Sequence, residues 1–535
     1  MVKLTFYGGV NEIGGNKILL EDEKRSLLLD FGFPYKKYKL YYEEFLKPRG
    51  GAGILDPLFM GMLPPLEGLY RDDIAPAEIF GQFQNNPSYR KIDKVDGVLL
   101  THAHLDHSAH ISFLREDIPV YSTAGTAFIT KAIQDSGVTD FDKQVCYYSP
   151  VVRDYPIGCK QVACISSGES KRQRQFYLGD IEPSALSLAA NTFWTSGFWE
   201  KTTRRKEIVS RPIINDKENP FNLRCFPVDH SIPGACAWGI ETSSGWIIYS
   251  GDLRLHGKRA AATRHFVEQA SSLHPCALII EGTNIQRLSN VTEQEVFANA
   301  LTAIIGAKGL VIADFSAKDV DRLLTFLQIA RDSNRKLAIL PKDAYLLKTM
   351  RLLDLEIPDI ALDQNIVIYQ DTTAAKSPAI WLRKIYEEYA GKLVLAQDVN
   401  KAQSEFILCF SFFDLNELPS INPQAGGLYL YSSSEPHDEE QEIDFRRLGN
   451  WFKYFGFRSF GLPREHNGLW QIPDEERGLH ASGHASGTDL FSIAKNIHPK
   501  TIIPVHSEYP QLYIKEMAQS GINVVLPEEN GIVEV

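Results

Sequence analysis

The stretch Thr101-His-Ala-His-Leu-Asp-His107 decides the fold, because it gathers three histidines and one aspartate directly after an apolar run. That run predicts a buried strand that ends just before the motif. Side chains two apart in an extended chain point to the same side, so His102 and His104 can reach one ion. A turn into a helix then lets Asp106 and His107 face a second ion. Imidazole and carboxylate ligands without thiolate suit zinc, manganese or iron.

The composition is that of an ordinary globular protein. The chain has 535 residues, more than one core usually supports, so two or more domains are expected. Hydrophobic residues make up 44% and charged residues 23%, and no stretch reaches the roughly 18 unbroken apolar residues of a membrane helix. The seven cysteines are scattered without a Cys-x-x-Cys pair, which indicates free thiols. The start of the chain lacks the features of a secretion signal, so we expect a cytoplasmic protein without a membrane partner.

The net charge constrains how the chain can bind nucleic acid. A formal charge of −11 argues against a protein coated with basic nucleic-acid-binding surface. It does not exclude a nuclease, because two divalent ions in a cleft can hold a phosphate that the average surface would repel.

The pattern of strands and helices predicts an α/β chain in three segments. Short strands with glycine turns dominate residues 1–285, strands alternate with helices over 286–463, and short strands and helices return over 464–535. The capping box Thr292-Glu-Gln-Glu295 predicts a helix over residues 293–305. The alternation indicates a mostly parallel sheet, hence a separate domain in the middle segment. The predicted strands are residues 2–7, 17–20, 26–30, 95–100, 223–228, 237–241, 246–249, 309–315, 336–340, 392–396, 406–410, 428–432, 501–505 and 523–526.

Three further motifs follow predicted strands. Asp30 lies in Leu-Leu-Leu-Asp-Phe-Gly, His230 in Val-Asp-His-Ser-Ile-Pro, and Asp252 in Tyr-Ser-Gly-Asp-Leu. Together with the His-x-His-x-Asp-His motif, and in this order, they resemble the signature of the metallo-β-lactamase superfamily. The resemblance implies a four-layer αββα sandwich. It also implies that Asp30 holds the ligands in place, that His230 is a ligand, and that Asp252 bridges two ions.

The middle segment makes the chain similar to the β-CASP branch of that superfamily. Glu281 in Ile-Ile-Glu-Gly-Thr-Asn, His484 in His-Ala-Ser-Gly-His-Ala and His506 in Ile-Pro-Val-His-Ser-Glu resemble its three motifs. The opening Gly8-Gly-Val-Asn-Glu-Ile-Gly14 resembles the ribonuclease J family. The implied architecture is a metallo-β-lactamase domain, residues 1–285 and 464–535, with an inserted parallel-sheet β-CASP domain, residues 286–463.

The resemblance implies a two-metal phosphodiesterase, most simply a ribonuclease that acts on single-stranded RNA. Two divalent ions, Zn²⁺ by expectation and Mn²⁺ as the alternative, would share Asp252, and a hydroxide bridging them would attack the phosphorus. The first ion would take His102, His104 and His230, and the second Asp106, His107 and His506.

The resemblance also assigns residues to catalysis and to substrate binding. His484, oriented by Glu281, would steady the phosphate and protonate the leaving oxygen, and Asp106 is counted with them as catalytic. His480 and Ser482 would donate hydrogen bonds to a neighbouring phosphate. Endonuclease or exonuclease action and the oligomeric state stay open.

Three other functions are compatible with the same core. One is a DNA nuclease, although His506 favours the RNA-processing side, because the DNA-repair branch usually has valine there. Another is a small-molecule hydrolase that cleaves thioesters or lactones, which the inserted domain argues against. The third is a non-catalytic interaction protein, which the complete ligand set argues against.

Weaker signals concern the substrate. Aromatic residues alternate with lysines over residues 35–42 and with basic residues over 194–206, as in platforms that bind single strands. Residues 171–174 are interpreted as a solvated basic run. Phe410-Ser-Phe-Phe413 replaces the glycine-rich phosphate-binding stretch of ribonuclease J, and residues 435–441 form an acidic patch that would repel phosphate.

Overall fold

The computed structural model describes residues 1–43, 45–137, 143–154, 163–166, 168–197, 208–216, 219–316, 318–353, 355–371, 379–433, 439–466 and 469–535. The chain divides into two compact units. The first consists of Met1–Leu255, Arg259–Ser289 and His484–Val535, and the second of His256–Lys258 and Asn290–Gly483. Within the described residues, no helix is both long enough and apolar enough to span a bilayer.

The first unit contains a mixed seven-stranded sheet. Its central strands are buried along most of their length, and their pairing places Leu20 opposite both Leu4 and Leu27. In spatial order the strands are Phe176–Leu178, Val120–Ser122, Val98–Leu99, Arg25–Phe31, Lys17–Asp22, Lys3–Gly8 and Ile532–Glu534.

A six-stranded sheet faces the first one across a shared core. Phe6 and Leu29 from the first sheet pack in one cluster with Trp238, Ile240 and Ile279 from the second. The other face of the second sheet packs against helices through a separate apolar cluster. In spatial order its strands are Asn222–Pro227, Cys236–Thr242, Gly245–Tyr249, Ala277–Ile280, Thr501–Pro504 and Asn523–Val524. Helices outside paired sheets give the predicted αββα sandwich.

The remaining elements of the first unit are helices and short strand pairs. Its α-helices are Tyr35–Lys39, Leu55–Phe59, Ala77–Phe80, Leu105–Ser108, Ala124–Ser136, Leu188–Thr195, Ala260–Ser272, Gly487–Ile497 and Gln511–Met517. Its 3-10 helices include Gly50–Ala52, Ala109–Phe113 and Pro183–Ala185. The short pairs are Leu66–Glu67 with Arg90–Lys91, Tyr147–Tyr148 with Arg172–Gln173, and Val151–Asp154 with Ala163–Ser166.

The second unit is built on a seven-stranded parallel sheet, as the strand–helix alternation predicts. The capping box is present, with Thr292 and Glu295 bonded to each other's backbone, and the helix Glu293–Ile305 has the predicted bounds. In spatial order the strands are Leu393–Val394, Ile366–Tyr369, Lys336–Ile339, Phe406–Leu408, Val311–Asp314, Leu428–Tyr431 and Arg458–Phe460. The other α-helices are Val320–Asp332, Pro341–Arg351, Ile380–Glu388, Ala396–Lys401, Leu418–Ile421 and Glu439–Phe455.

The second unit extends past residue 463, where the sequence-based boundary lies, as far as Gly483. Hydrogen bonds explain why. Asn299 donates to the carbonyl of Gly478 at 3.2 Å, and Arg322 donates to the carbonyl of Leu479 at 3.2 Å. The 3-10 helix Asp474–Leu479 is therefore held by helices of the second unit.

The other elements of this unit are Ala390–Lys392, Gln403–Glu405, Phe412–Glu417 and the hairpin Arg464–His466 with Leu469–Gln471.

Candidate metal centre

The histidine motif forms the turn between the strand Val98–Leu99 and the helix Leu105–Ser108. His104 is the N-cap residue of that helix, so its side chain projects from the turn. The turn lies so close to the backbone of Gly32 that only glycine fits at that position. A Cβ added to Gly32 would lie 1.6 Å from the carbonyl oxygen of Asp106, a distance that no side chain can accept.

The first predicted ligand set is close together in the structure. His104 Nδ1 lies 3.0 Å from His102 Nε2 and 3.2 Å from His230 Nε2. One ligand atom from each of the three side chains fits within 4.8 Å of the others. The three imidazole nitrogens are thus close enough together to coordinate one metal ion.

The second predicted set also converges. Asp106 Oδ2 lies 3.3 Å from His506 Nε2 and 3.7 Å from His107 Nε2. Asp252 Oδ2 lies between the two sets, 3.2 Å from His107 Nε2 and 3.6 Å from His102 Nε2. The other oxygen of Asp252, Oδ1, is buried and has no hydrogen-bond partner within the described ranges of the chain. A buried carboxylate oxygen without a donor is costly unless a cation occupies the site.

Asp30 stabilises the second ligand set by accepting hydrogen bonds from His107 and from neighbouring residues. Its Oδ2 accepts hydrogen bonds from Thr101 Oγ1 at 2.8 Å, from Tyr249 OH at 2.7 Å and from His107 Nδ1 at 2.7 Å. Its Oδ1 accepts the backbone N–H of Thr101 at 2.8 Å. Because a carboxylate only accepts, His107 must carry its proton on Nδ1. This tautomer turns Nε2 towards Asp252.

Thr283 plays a similar part for His506, and sequence reasoning missed it. Thr283 Oγ1 lies 2.9 Å from His506 Nδ1, so that ring too is held through the nitrogen that faces away from Asp106. His506 itself adopts a left-handed backbone with φ of 51°. The only available signal was the position of Thr283, two residues after Glu281 in the same motif.

His484 and Glu281 form a pair beside the ligands. His484 Nδ1 lies 3.0 Å from Glu281 Oε2 and 3.9 Å from Asp252 Oδ2. Glu281 is buried and also accepts the backbone N–H of Leu253 at 2.8 Å. Burial lowers the pKa of His484, but the carboxylates of Glu281 and Asp252 outweigh it, and the pKa is raised to about 9. His484 is therefore suited to carry a proton at this position.

The electrostatics of the cluster favour a bound cation. Burial lowers the pKa of His102 well below its usual value, so its ring is neutral as a ligand must be. Burial opposes ionisation of Asp252, but the imidazoles of His506 and His107 hold its pKa well below the usual range. Burial also lowers the pKa of His107, but the carboxylates of Asp252, Asp30 and Asp106 raise it well above its usual value. These carboxylates attract positive charge, which a divalent ion would supply more effectively than a proton.

His480 and Ser482 belong to the second unit. The Nδ1 of His480 lies 2.7 Å from the carbonyl oxygen of Ser433. The carbonyl oxygen of Ser482 accepts a hydrogen bond from His256 Nε2 at 2.9 Å. Their assignment as phosphate-binding residues stays a prediction.

Two of the weaker sequence interpretations are wrong in part. Trp194 is buried and packs on Phe128 and Phe176, so it cannot stack on a base. Residues 198–207 of the same stretch lie outside the described residues. Arg174, taken as part of a solvated run, is also buried, and its guanidinium donates to the carbonyls of Ser112, Leu114 and Arg115.

Two other features of the sequence differ in burial: the helix within residues 35–42 and His110, which follows the ligand motif. The helix Tyr35–Lys39 buries none of its residues, which is compatible with a binding surface. His110 is buried against Phe33 and Phe113. It is therefore packed in the interior of the fold.

Comparison with known proteins finds relatives for the whole chain. Residues 72–149 match the family described as "Beta-lactamase superfamily domain", and residues 476–527 match "Zn-dependent metallo-hydrolase RNA specificity domain". Ribonuclease J of Helicobacter pylori (strain ATCC 700392 / 26695) is 21% identical over 99% of this chain and 59% of its own length. The chain is therefore similar to the metallo-β-lactamase superfamily, and to the ribonuclease J-like proteins of its β-CASP branch, along nearly its whole length.

Other members of this branch are similarly related. Ribonuclease J of Corynebacterium glutamicum is 23% identical, with 99% of this chain and 58% of the relative covered. Ribonuclease J of Mycobacterium tuberculosis (strain CDC 1551 / Oshkosh) is 22% identical, with 99% and 74% covered. The chain thus spans about three fifths of the length of the first two relatives. A crystal structure of a protein of unknown function from Enterococcus faecalis V583 shares the fold, with a TM-score of 0.61, 18% identity and full coverage of both chains.

Proposed function

We propose that the chain is a metal-dependent hydrolase that uses two divalent ions to cleave phosphodiester bonds in RNA. The observation that carries the proposal is the pair of ligand triads that converge on either side of Asp252. A buried cluster of this kind, with neutral imidazole at His102 and ionised carboxylate at Asp252, is costly without a cation.

The donor chemistry supports a choice of ions. Imidazole nitrogens and carboxylate oxygens without sulfur fit Zn²⁺, with Mn²⁺ as the alternative. Asp252 would be a ligand of both ions, because its Oδ2 approaches members of both triads and its Oδ1 has no hydrogen-bond partner among the described residues. The first ion is assigned to His102, His104 and His230, and the second to Asp106, His107 and His506.

The ions and the protein side chains have different tasks. When bound, a pair of divalent ions attracts the phosphate and supplies an activated water. Glu281 holds the Nδ1 side of His484, so the other ring nitrogen is the atom proposed to deliver a proton to the leaving oxygen. Asp30 and Thr283 fix the rings of His107 and His506 in one orientation.

RNA is the proposed substrate for two reasons. The match to the RNA specificity domain over residues 476–527 contains His480, Ser482, His484 and His506. The curated relatives named above are all ribonucleases J. These similarities favour single-stranded RNA over a thioester or a lactone as the proposed substrate.

Cleavage assays with matched substrates test this function. Purified protein is incubated with end-labelled single-stranded RNA, DNA of the same sequence and a generic thioester, before and after chelation. We expect RNA cleavage that disappears with chelator and returns when Zn²⁺ or Mn²⁺ is added. Cleavage of DNA alone, hydrolysis of the thioester alone, or RNA cleavage that survives complete metal removal would each contradict the proposal.

A further inference from the structure

A cavity lies in the second unit, at the carboxyl ends of its parallel strands. It opens where Val311–Asp314, Phe406–Leu408 and Leu428–Tyr431 end and has a volume of about 290 Å³. Ligands of open parallel sheets characteristically bind at this edge. The volume corresponds to about ten water molecules, which suits a small molecule or a single side chain.

The charges of this cavity all have one sign. Among the described residues that line it, four are aspartates and none is lysine, arginine or histidine: Asp314, Asp343, Asp414 and Asp444. Asp414 accepts hydrogen bonds from the backbone and side chain of Ser411, and Asp444 pairs with Arg447 at 3.0 Å. Anionic ligands, including nucleotides, are therefore excluded by repulsion.

One carboxylate oxygen of Asp343 indicates that the cavity binds a hydrogen-bond donor or a cation. Asp343 Oδ2 accepts the backbone N–H of Leu340 at 2.9 Å. Among the residues that the structure describes, its Oδ1 has no hydrogen-bond partner, although the residue lines the cavity and is only 4% exposed. An unsatisfied buried carboxylate oxygen needs a donor or a cation.

Aromatic rings form a large part of the remaining lining, together with serine, leucine and cysteine side chains. Tyr431 and Phe445 meet edge to face with ring centroids 5.4 Å apart, and Phe412 and Phe413 lie 5.5 Å apart. Phe413 is 80% exposed at the rim. Aromatic faces attract organic cations and cover the apolar part of such ligands.

A bare metal ion fits this cavity less well than an organic cation. Within the part of the chain that the structure describes, the clusters of three or more ligand atoms within 4.8 Å all belong to the metal centre. The carboxylates of the cavity are thus too dispersed to enclose a small ion. Burial raises the pKa of Asp314 and of Asp343 to about 7, so a bound cation would readily hold both in the ionised form.

We propose that this cavity binds an alkylammonium group, with the charged head at Asp343 and the carbon stem between the aromatic rings. The chemistry is shared by two sources, a free alkyl polyamine and the lysine side chain of a protein. The site is independent of the metal centre and of the proposed cleavage of RNA.

Calorimetric titration of the whole protein tests the proposal. The probes are n-butylamine, 1,4-diaminobutane and N-acetyl-lysine methylamide, with n-butanol and butyrate as neutral and anionic counterparts. We expect at least one amine to bind about tenfold or more tightly than n-butanol or butyrate. Binding of the diamine alone would support the proposal with a free polyamine as ligand, and binding of the lysine derivative would support it with a protein side chain. Equal binding of n-butanol, or no binding of any amine, would overturn it.

Two variants locate the binding in the cavity. Asp343→Asn should weaken amine binding about tenfold or more. Asp398→Asn is the matched control, because Asp398 caps Leu395 at 3.0 Å as Asp343 caps Leu340 but lies outside the cavity. Phe413→Ala removes only an exposed ring, so it leaves the fold intact, and it should weaken binding about two- to fivefold. Unchanged affinity in both Asp343→Asn and Phe413→Ala would refute the site.

Discussion

Replacing Asp30 with asparagine isolates the role of the residue behind the metal ligands. Asp30 has a left-handed backbone with φ of 52°, which asparagine tolerates better than most residues. The substitution keeps the size of the side chain and removes one acceptor oxygen and the charge. It therefore perturbs the hydrogen bonds to Thr101, His107 and Tyr249 without opening a cavity.

The expected loss of stability follows from the number of hydrogen-bond donors around Asp30. One oxygen accepts three hydrogen bonds and the other accepts one. The less costly orientation of asparagine places its nitrogen against the backbone N–H of Thr101 and leaves that donor unsatisfied. We expect a loss of about 1 to 3 kcal/mol in the free energy of unfolding. Weaker orientation of His107 should lower the affinity of the second ion about 10- to 100-fold.

Urea unfolding and metal competition with a chelator separate the two effects. Under moderate competition, Asp30→Asn should retain one ion per chain where the unmodified protein retains two. Asp22→Asn is the matched control, because Asp22 is equally buried and accepts the backbone N–H of Ser243 at 2.9 Å, outside the centre. It should lose stability and keep both ions. Retention of both ions in Asp30→Asn, with unchanged affinity, would refute the assigned role.

Three further substitutions test single contacts of the centre. His484→Ala should keep both ions by elemental analysis and lose about 100-fold or more in turnover, and unchanged turnover would exclude the proton role. Thr283→Val keeps the side-chain shape but removes the contact with His506 Nδ1, so chelator competition should show about tenfold weaker binding of the second ion; equal affinity would count against it. Gly32→Ala would place a methyl group 1.6 Å from the Asp106 carbonyl, so the folded variant should lose the second ion, and full metal content would disprove this.

The motifs carry the resemblance that implies the sandwich, and the alternation of strands and helices predicts the inserted parallel sheet. The predicted ligands follow strands of two facing sheets: Asp106 comes after Val98–Leu99 in the first sheet, and His506 comes after Thr501–Pro504 in the second. Residues as distant in sequence as Asp106 and His506 therefore come within 3.3 Å. Short-range periodicity likewise predicted the helix Glu293–Ile305, because its capping box is a local interaction.

The features that sequence reasoning missed depend on tertiary contacts. Arg174 lies in a basic run, but three backbone carbonyls accept its hydrogen bonds in the interior. Trp194 has an aromatic and basic neighbourhood in sequence, and only the packing on Phe128 shows that it belongs to the core. The acidic cavity around Asp343 combines residues from four strand ends, and no local pattern predicts such a combination.

Anomalous diffraction at the zinc absorption edge, from crystals of protein purified without chelator, tests the two-ion centre most directly. The account predicts two peaks that flank the carboxylate of Asp252, one near His230 and one near His506. A single peak, no peak, or peaks away from Asp252 would contradict it.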